Sequence, residues 1–179
     1  MSDKKDSGRP VTVIGWREKV ALPDLGLPLI HAKIDTGART SALHATRIRS
    51  FDRDGEPWVR FHIPHAGLTR AADCEARLVD RREIRNTSGI GEERHVISTA
   101  LLIAGRRWTI EISLADRAGM ALPLILGRTA IRRHKVLVDA GRSFLAGAPR
   151  SVGRPDKVEK SAKKPAKTPN SDAMKREAE

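Results

Sequence analysis

Short strand patterns separated by turn residues run from Pro10 to Gly147 and limit what the chain can fold into. The clearest are His95 to Ile103 and Trp108 to Leu114, which flank the turn Ala104-Gly105-Arg106. Only the segment from Arg128 to His134 has a helical pattern, and it is short. Many short strands with one late helix predict an all-β fold, either a small barrel or a sandwich.

The two ends of the chain differ in composition from this body. Residues 148–179 are rich in Lys, Pro, Ala and Ser without apolar periodicity, and residues 1–9 are polar. Such segments cannot bury enough apolar surface to offset the entropy of ordering. We therefore expect a disordered N-terminus at 1–9, one folded domain at 10–147 and a disordered basic tail at 148–179.

The net charge of +12 comes from 34 basic and 22 acidic residues, and +8 of it belongs to residues 1–147. A basic domain attracts nucleic acid or an acidic substrate. With no Tyr, three Phe and three Trp, the chain has few side chains on which single-stranded nucleic acid could stack. An acidic peptide is therefore the preferred ligand class.

Cysteine content and hydrophobic runs bear on the compartment. The single cysteine, Cys74, excludes an intramolecular disulfide. No apolar run approaches the ~18 residues that span a membrane, and the polar N-terminus lacks the apolar core of a signal peptide. These features favour a cytoplasmic protein without membrane contact.

The strongest chemical signal is the run Ile34-Asp35-Thr36-Gly37-Ala38, directly after an apolar strand. Peptide hydrolysis by aspartates needs a carboxylate held on a sharp loop at the bottom of a cleft. The Thr36 hydroxyl can brace such a loop, and Gly37 allows a close backbone approach. Alone, the triplet is weak evidence, because Asp often caps a turn through its own side chain.

Two later segments give this triplet a context. Leu124-Ile125-Leu126-Gly127-Arg128 is an apolar strand followed by Gly-Arg and the short helix, and Ser88-Gly89-Ile90-Gly91 is a glycine-bearing tip between them. The order of loop, tip and Gly-Arg segment resembles the retropepsin half-barrel. In that fold the tip is a flap that closes over the substrate.

Three segments also resemble one bacterial family, often labelled "ATP-dependent zinc protease" and associated with RimK-type glutamate ligases: His31 to Ala45, Arg82 to Val96 and Arg117 to Arg128. The resemblance covers roughly Val13 to Gly147. It implies a retropepsin-like (acid protease) closed β-barrel half with one short C-terminal helix, active as a homodimer. It also implies an acidic peptide or glutamylated protein as substrate, and a functional link to an ATP-grasp glutamate ligase.

The same resemblance suggests a role for each site residue. The catalytic loop is Asp35, Thr36 and Gly37. The substrate-binding residues are Ala38, Arg39, Arg85, Ser88, Gly89, Arg94 and Arg117. Gly127 and Arg128 are structural residues near the site. Because a guanidinium matches a carboxylate with two hydrogen bonds, several arginines suit a glutamate-rich substrate. The remaining pairs are expected on solvated faces or at loop ends: Arg81-Arg82, Arg106-Arg107 and Arg132-Arg133.

One Asp-Thr-Gly triplet supplies half of a catalytic pair. The second aspartate must come from another copy related by a two-fold axis, so the sequence predicts a homodimer. The two carboxylates then share a proton and activate water.

No metal or other cofactor is expected. The chain has no His-Glu-x-x-His helix, Pro64 interrupts His62-Ile63-Pro64-His65, and no phosphate-binding glycine loop precedes a Lys-Ser or Lys-Thr pair. Two alternatives stay open: a non-catalytic basic β-domain that binds acidic peptide or nucleic acid, and a zinc-dependent hydrolase as the family label suggests.

Overall fold

The computed structural model describes residues 11–65, 70–85, 91–119 and 121–149. The predicted disordered N-terminus, the predicted tail after residue 149 and the predicted flap residues Ser88 and Gly89 lie outside the described residues, as does the side chain of Arg85. The strands are β1 Thr12–Gly15, β2 Arg17–Leu22, β3 Leu27–Asp35, β4 Ser41–His44, β5 Thr46–Arg53, β6 Glu56–Ile63, β7 Ala72–Arg85, β8 Gly91–Ile103, β9 Arg106–Ala115, β10 Leu124–Gly127 and β11 Val136–Asp139; a 3₁₀ turn spans Pro23–Leu25 and the helix α1 spans Arg128–Arg133.

Nine strands form one sheet in the order β2-β3-β10-β4-β9-β8-β7-β6-β5, and β1 pairs with β11 in a separate two-stranded parallel sheet. The large sheet returns on itself where Ala21 of β2 pairs with Leu102 of β8. The predicted mostly-β fold with one short helix is thus confirmed for the described residues. The closure observed is one residue pair, which is less than the fully closed barrel we expected.

Alternation along the strands places the core inside the curved sheet. In β9 the even-numbered residues Trp108, Ile110, Ile112 and Leu114 are all buried, while Glu111 is exposed. Side chains on a strand point to opposite faces in turn, so one face of β9 supplies core, and the other reaches solvent as far as Glu111 and is buried at Ser113 and Ala115. No helix in the described ranges is long and apolar enough to cross a membrane.

The centre of the sheet holds the predicted catalytic segment. β3 runs parallel to β10, with Asp35 opposite Gly127, and β4 runs antiparallel to β10 on the other side. The strand-forming residues from Ser41 to Arg53 are divided at Ala45 into β4 and β5. Ala45 N–H donates to Ala115 O at 3.0 Å, and Arg47 has a φ of 52°. The break lets β4 stay beside β10 while β5 joins β6 at the far edge.

Candidate active site

Asp35 is the last residue of β3, and its own loop holds its carboxylate. Asp35 Oδ1 accepts hydrogen bonds from the backbone N–H groups of Gly37 and Ala38, both at 3.1 Å. Two donors on one oxygen fix the orientation of the carboxylate and favour its ionised form. Thr36, predicted to brace the loop, is exposed in the single chain.

The segment after β10 is hydrogen-bonded to this loop. Arg128 N–H donates to Ala38 O at 2.8 Å, and Thr129 N–H donates to Arg39 O at 3.2 Å. The Arg128 guanidinium adds a bond from Nη1 to Gly37 O at 2.8 Å. Arg128 therefore contacts the aspartate loop through both its backbone and its side chain.

Space explains why residue 127 is glycine. A Cβ on Gly127 would lie 2.6 Å from the carbonyl carbon and oxygen of Thr40, both backbone atoms. Gly127 N–H also donates to the hydroxyl oxygen of Ser41 at 3.2 Å, and Ser113 Oγ donates to Ser41 O at 3.0 Å. These two hydrogen bonds join β4 to β10 and to β9 next to the aspartate loop.

Lys33 is the charged neighbour of Asp35. Lys33 Nζ lies 3.5 Å from Asp35 Oδ2, and the two side chains are 44% and 26% exposed. Partial burial raises the pKa of Asp35, but the Ala38 hydrogen bond, the Lys33 ammonium and the Gly37 hydrogen bond together lower that pKa below its usual value. In the single chain Asp35 is therefore held as a carboxylate.

Asp35 opens into a cleft of about 1240 Å³. Five other predicted site residues line the same cleft: Gly37, Ala38, Arg39, Arg94 and Arg117. They come from the loop after β3, from β8 and from the segment after β9, which are far apart in sequence. The structure therefore brings together most of the predicted site that it describes.

Arg94 and Arg117 lie on one wall of the cleft. Arg94 is only 11% exposed and binds Glu92 Oε2 through Nε and Nη2, each at 2.9 Å. Burial and then the Arg94 guanidinium lower the pKa of Arg117, whereas Asp35 acts in the opposite direction. Arg117 is thus placed where a further carboxylate would be stabilising.

His44 positions the backbone of this wall, although its role was not predicted. It is 8% exposed, and its Nδ1 accepts the Arg117 N–H at 2.9 Å. Ser41 acts similarly under Gly127. Both are buried polar residues within the short strand Ser41-Ala42-Leu43-His44, and that mixture was the signal available in the sequence.

Two of the paired arginines also line the cleft. Arg133 is exposed, as expected for a solvated face, and Arg82 is half-buried. Arg82 forms ion pairs with Asp80 and with Glu111 Oε2, the latter at 2.8 Å.

The cleft is less basic than the whole chain. Six basic and five acidic side chains line it. Three of the bases are engaged by acids of the same cleft: Lys33 by Asp35, Arg82 by Glu111 and Arg94 by Glu92. Charge recognition in this cleft therefore depends on where individual cations lie and not on its net charge.

The described residues do not fit a zinc site. No group of three His, Cys, Asp or Glu side chains within those ranges is arranged to hold a metal ion. His62 Nδ1 is instead 2.7 Å from Asp73 Oδ1, and the Cys74 thiol is buried with its pKa raised to about 11 by burial and by Asp73. A neutral thiol of this kind is a poor metal ligand.

A family model described as retropepsin-like aspartic endopeptidase RimB matches residues 13–149. The chain belongs to this RimB-like family. The match covers β1 through β11 and includes Asp35, the cleft and Gly127.

Curated relatives and a solved structure are also similar to the chain. Proteins named probable alpha-L-glutamate ligase are similar to the chain: the one from Shewanella pealeana is 42% identical over 149 residues and the one from Desulfotalea psychrophila 39% over 127 residues. These alignments cover 82% and 70% of this chain but only 31% and 27% of the relatives, so the chain spans about a third of their length. A Legionella pneumophila crystal structure of unknown function is 30% identical with a TM-score of 0.65, over 75% of this chain and 98% of that one.

Proposed function

We propose that the protein is an aspartic-type peptidase that hydrolyses acidic peptides or glutamyl extensions, with Asp35 of two copies forming the catalytic pair. The observation that carries the proposal is the hydrogen-bonded Asp35 loop at the base of a large cleft, fastened by the Gly127-Arg128 segment. The RimB-like family membership supports the reaction class.

In this reaction the ionised aspartate takes a proton from water as the water oxygen attacks the scissile carbonyl carbon. The protonated aspartate of the other copy donates its proton to the carbonyl oxygen. As the tetrahedral intermediate collapses, the C–N bond breaks and the leaving nitrogen receives a proton from the pair. The pair holds a shared proton because two adjacent carboxylates do not both ionise easily.

An exposed apolar surface supports the second copy. Val11, Val13 and Leu137 are 63%, 41% and 60% exposed, and Val13 pairs with Leu137 in the β1–β11 sheet. Trp16, 36% exposed, follows β1 in the chain, and its carbonyl oxygen accepts the N–H of Ile34, the residue before Asp35, at 2.8 Å. We call these four residues the β1–β11 surface. A two-fold contact there would bring two Asp35 loops near each other.

The acidic substrate is supported by relatives and by the cleft. The curated relatives named glutamate ligases contain a region similar to this chain within a longer protein. A peptidase region and a ligase region in one protein could act on the same glutamyl chain, the ligase adding glutamate and the peptidase removing it. Arg39 and Arg117 line the cleft as partners for carboxylates, and Arg94 could serve as a third if a substrate carboxylate replaces Glu92.

Asp35→Asn tests the proposed reaction. An amide cannot accept the proton from water, so we expect no detectable cleavage of glutamate-extended peptides, followed by mass spectrometry of the products. The thermal melt should change little, because the amide oxygen of the variant can still accept the Gly37 and Ala38 N–H groups.

Retained turnover in the Asn variant would rule out the aspartic mechanism. Tight binding of acidic peptide by both proteins, with no cleavage by the wild type, would instead favour the non-catalytic binding domain.

A further inference from the structure

Lys33 is the cation nearest the proposed catalytic carboxylate, and the mechanism above gives it no role. It lies two residues before Asp35 in β3, so both side chains project from the same face of the strand, while Ala32 and Ile34 point into the core. Its Nζ, 3.5 Å from Asp35 Oδ2, lines the cleft.

The position of Lys33 affects the protonation of the proposed aspartate pair before substrate binds. An ammonium beside a carboxylate favours the ionised form, whereas the two-aspartate reaction needs one proton held between the pair. In a dimer each Asp35 would carry its own Lys33. The free enzyme would then be biased towards a doubly ionised pair, which has no proton to donate to the carbonyl oxygen.

An acidic substrate can remove this bias. The scissile carbonyl must lie over Asp35, so the side chains next to the scissile bond are those within reach of Lys33. Arg117 also interacts electrostatically with Asp35, but Lys33 is the cation whose ammonium lies 3.5 Å from the Asp35 carboxylate. A carboxylate bound to Lys33 offsets the ammonium charge, and the aspartate pair can then hold its shared proton.

We propose that Lys33 is the specificity residue of this site, binding the carboxylate of the residue that flanks the scissile bond and thereby allowing the aspartate pair to hold its proton. This inference rests on the proposed peptidase function. It makes the acidic residue beside the scissile bond a requirement for turnover as well as for binding.

The test uses two glutamate-rich peptides that differ at one position. The cleaved bond is first located by mass spectrometry, and the flanking Glu is then changed to Gln. For the wild type we expect kcat/KM to fall about 10- to 100-fold with the Gln peptide, the scale of one charge-assisted hydrogen bond, with a clear part of the loss in kcat. For Lys33→Met the two peptides should be cleaved at similar rates.

Two variants make the comparison specific. Lys33→Arg keeps a cation and should retain the preference for Glu. Lys19→Met removes a lysine from the neighbouring strand β2, where its Nζ lies 5.2 Å from the Phe144 ring centroid, and should leave the preference unchanged. A Glu-to-Gln change far from the scissile bond should affect wild type and Lys33→Met equally.

A pH profile separates this role from a merely structural one. Burial raises the pKa of Asp35, whereas the Ala38 hydrogen bond and Lys33 lower it. Removal of the Lys33 ammonium should therefore raise the pKa of Asp35. With the Gln peptide, both limbs of the kcat/KM profile of Lys33→Met should therefore lie at higher pH than those of the wild type.

Each outcome decides the assignment. The assignment of Lys33 is overturned if Lys33→Met prefers the Glu peptide as strongly as the wild type does. It is also overturned if Lys33→Met loses the same factor in kcat/KM on both peptides. Neither result touches the proposed function as long as Asp35→Asn is inactive. An active Asp35→Asn protein would instead reject the proposed function itself.

Discussion

Glu18 shows how one buried side chain joins distant parts of this chain. Its exposed fraction is 0%, and its carboxylate accepts the N–H groups of Gly15 at 2.6 Å, Leu145 at 2.9 Å and Ala146 at 3.2 Å. The first donor ends β1 and the other two follow β11. Glu18 therefore links the end of β1 and the segment that follows β11 to β2.

Glu18→Ala should destabilise the protein by about 2–4 kcal/mol, because it leaves three backbone donors without their acceptor. Denaturant unfolding should show a lower midpoint with an unchanged slope. Glu18→Gln is the matched control, since its amide oxygen can still accept part of this set, and its loss should be smaller. Equal stability of Glu18→Ala and wild type would show that these bonds add nothing to the fold.

At this scale the sequence revealed some site residues and hid others. Asp35 and Gly37 stood in a recognisable triplet, and Arg94 and Arg117 in family-like segments. Lys33 was interpreted only as part of a strand, because alternation says which face it shares but not that its ammonium reaches the carboxylate. That Arg82 and Arg133 line the cleft did not follow from the sequence, because a doubled arginine does not show which member of the pair faces a cleft.

At the scale of elements, the contact between β10 and the aspartate loop is the tightest part of the site. Gly127 has φ −79° and ψ 164°, which any residue adopts, so the backbone conformation does not demand glycine. The demand comes from Thr40, whose carbonyl atoms occupy the place of a Cβ. A side chain here must push β10 away from the loop that carries Asp35.

Gly127→Ala should therefore lose about 1–3 kcal/mol of folding free energy through overpacking, and peptide cleavage should fall with it. Gly119→Ala is the stability control, because a Cβ at that position meets no described atom within 4 Å. Thermal melts and cleavage assays on both variants check the difference. A Gly127→Ala protein as stable and active as Gly119→Ala would mean that the loop and β10 separate freely.

Element types were easier to predict than element pairing. The strands β8 and β9, their turn and the short helix followed from alternation and turn residues. The break at Ala45 did not, because both sides of it have strand-forming residues. It is dictated by tertiary pairing, in which β4 lies between β10 and β9 while β5 pairs with β6. Single-sequence patterns carry no information on such non-local partners.

For the whole molecule, the main question is how a chain with one Asp-Thr-Gly triplet completes an aspartate pair. Large apolar side chains that remain exposed are few among the described residues, and Val13 and Leu137 of the β1–β11 surface are paired with each other. Grouped exposed apolar residues mark interaction sites more often than scattered ones do. This surface is where we expect the second copy to dock.

Leu137→Glu should convert the dimer to a monomer and abolish cleavage, because a charge would have to be buried where apolar contact is needed. The single chain should keep its melting temperature, since Leu137 is 60% exposed. Sedimentation velocity gives the oligomeric state, and the glutamate-peptide assay gives the activity. Val79→Glu is the control, because Val79 is 45% exposed but lies in β7, away from this surface, and it should remain dimeric and active. A dimeric Leu137→Glu protein would place the interface elsewhere, whereas a wild-type protein that cleaves peptide as a monomer would remove the need for a second Asp35.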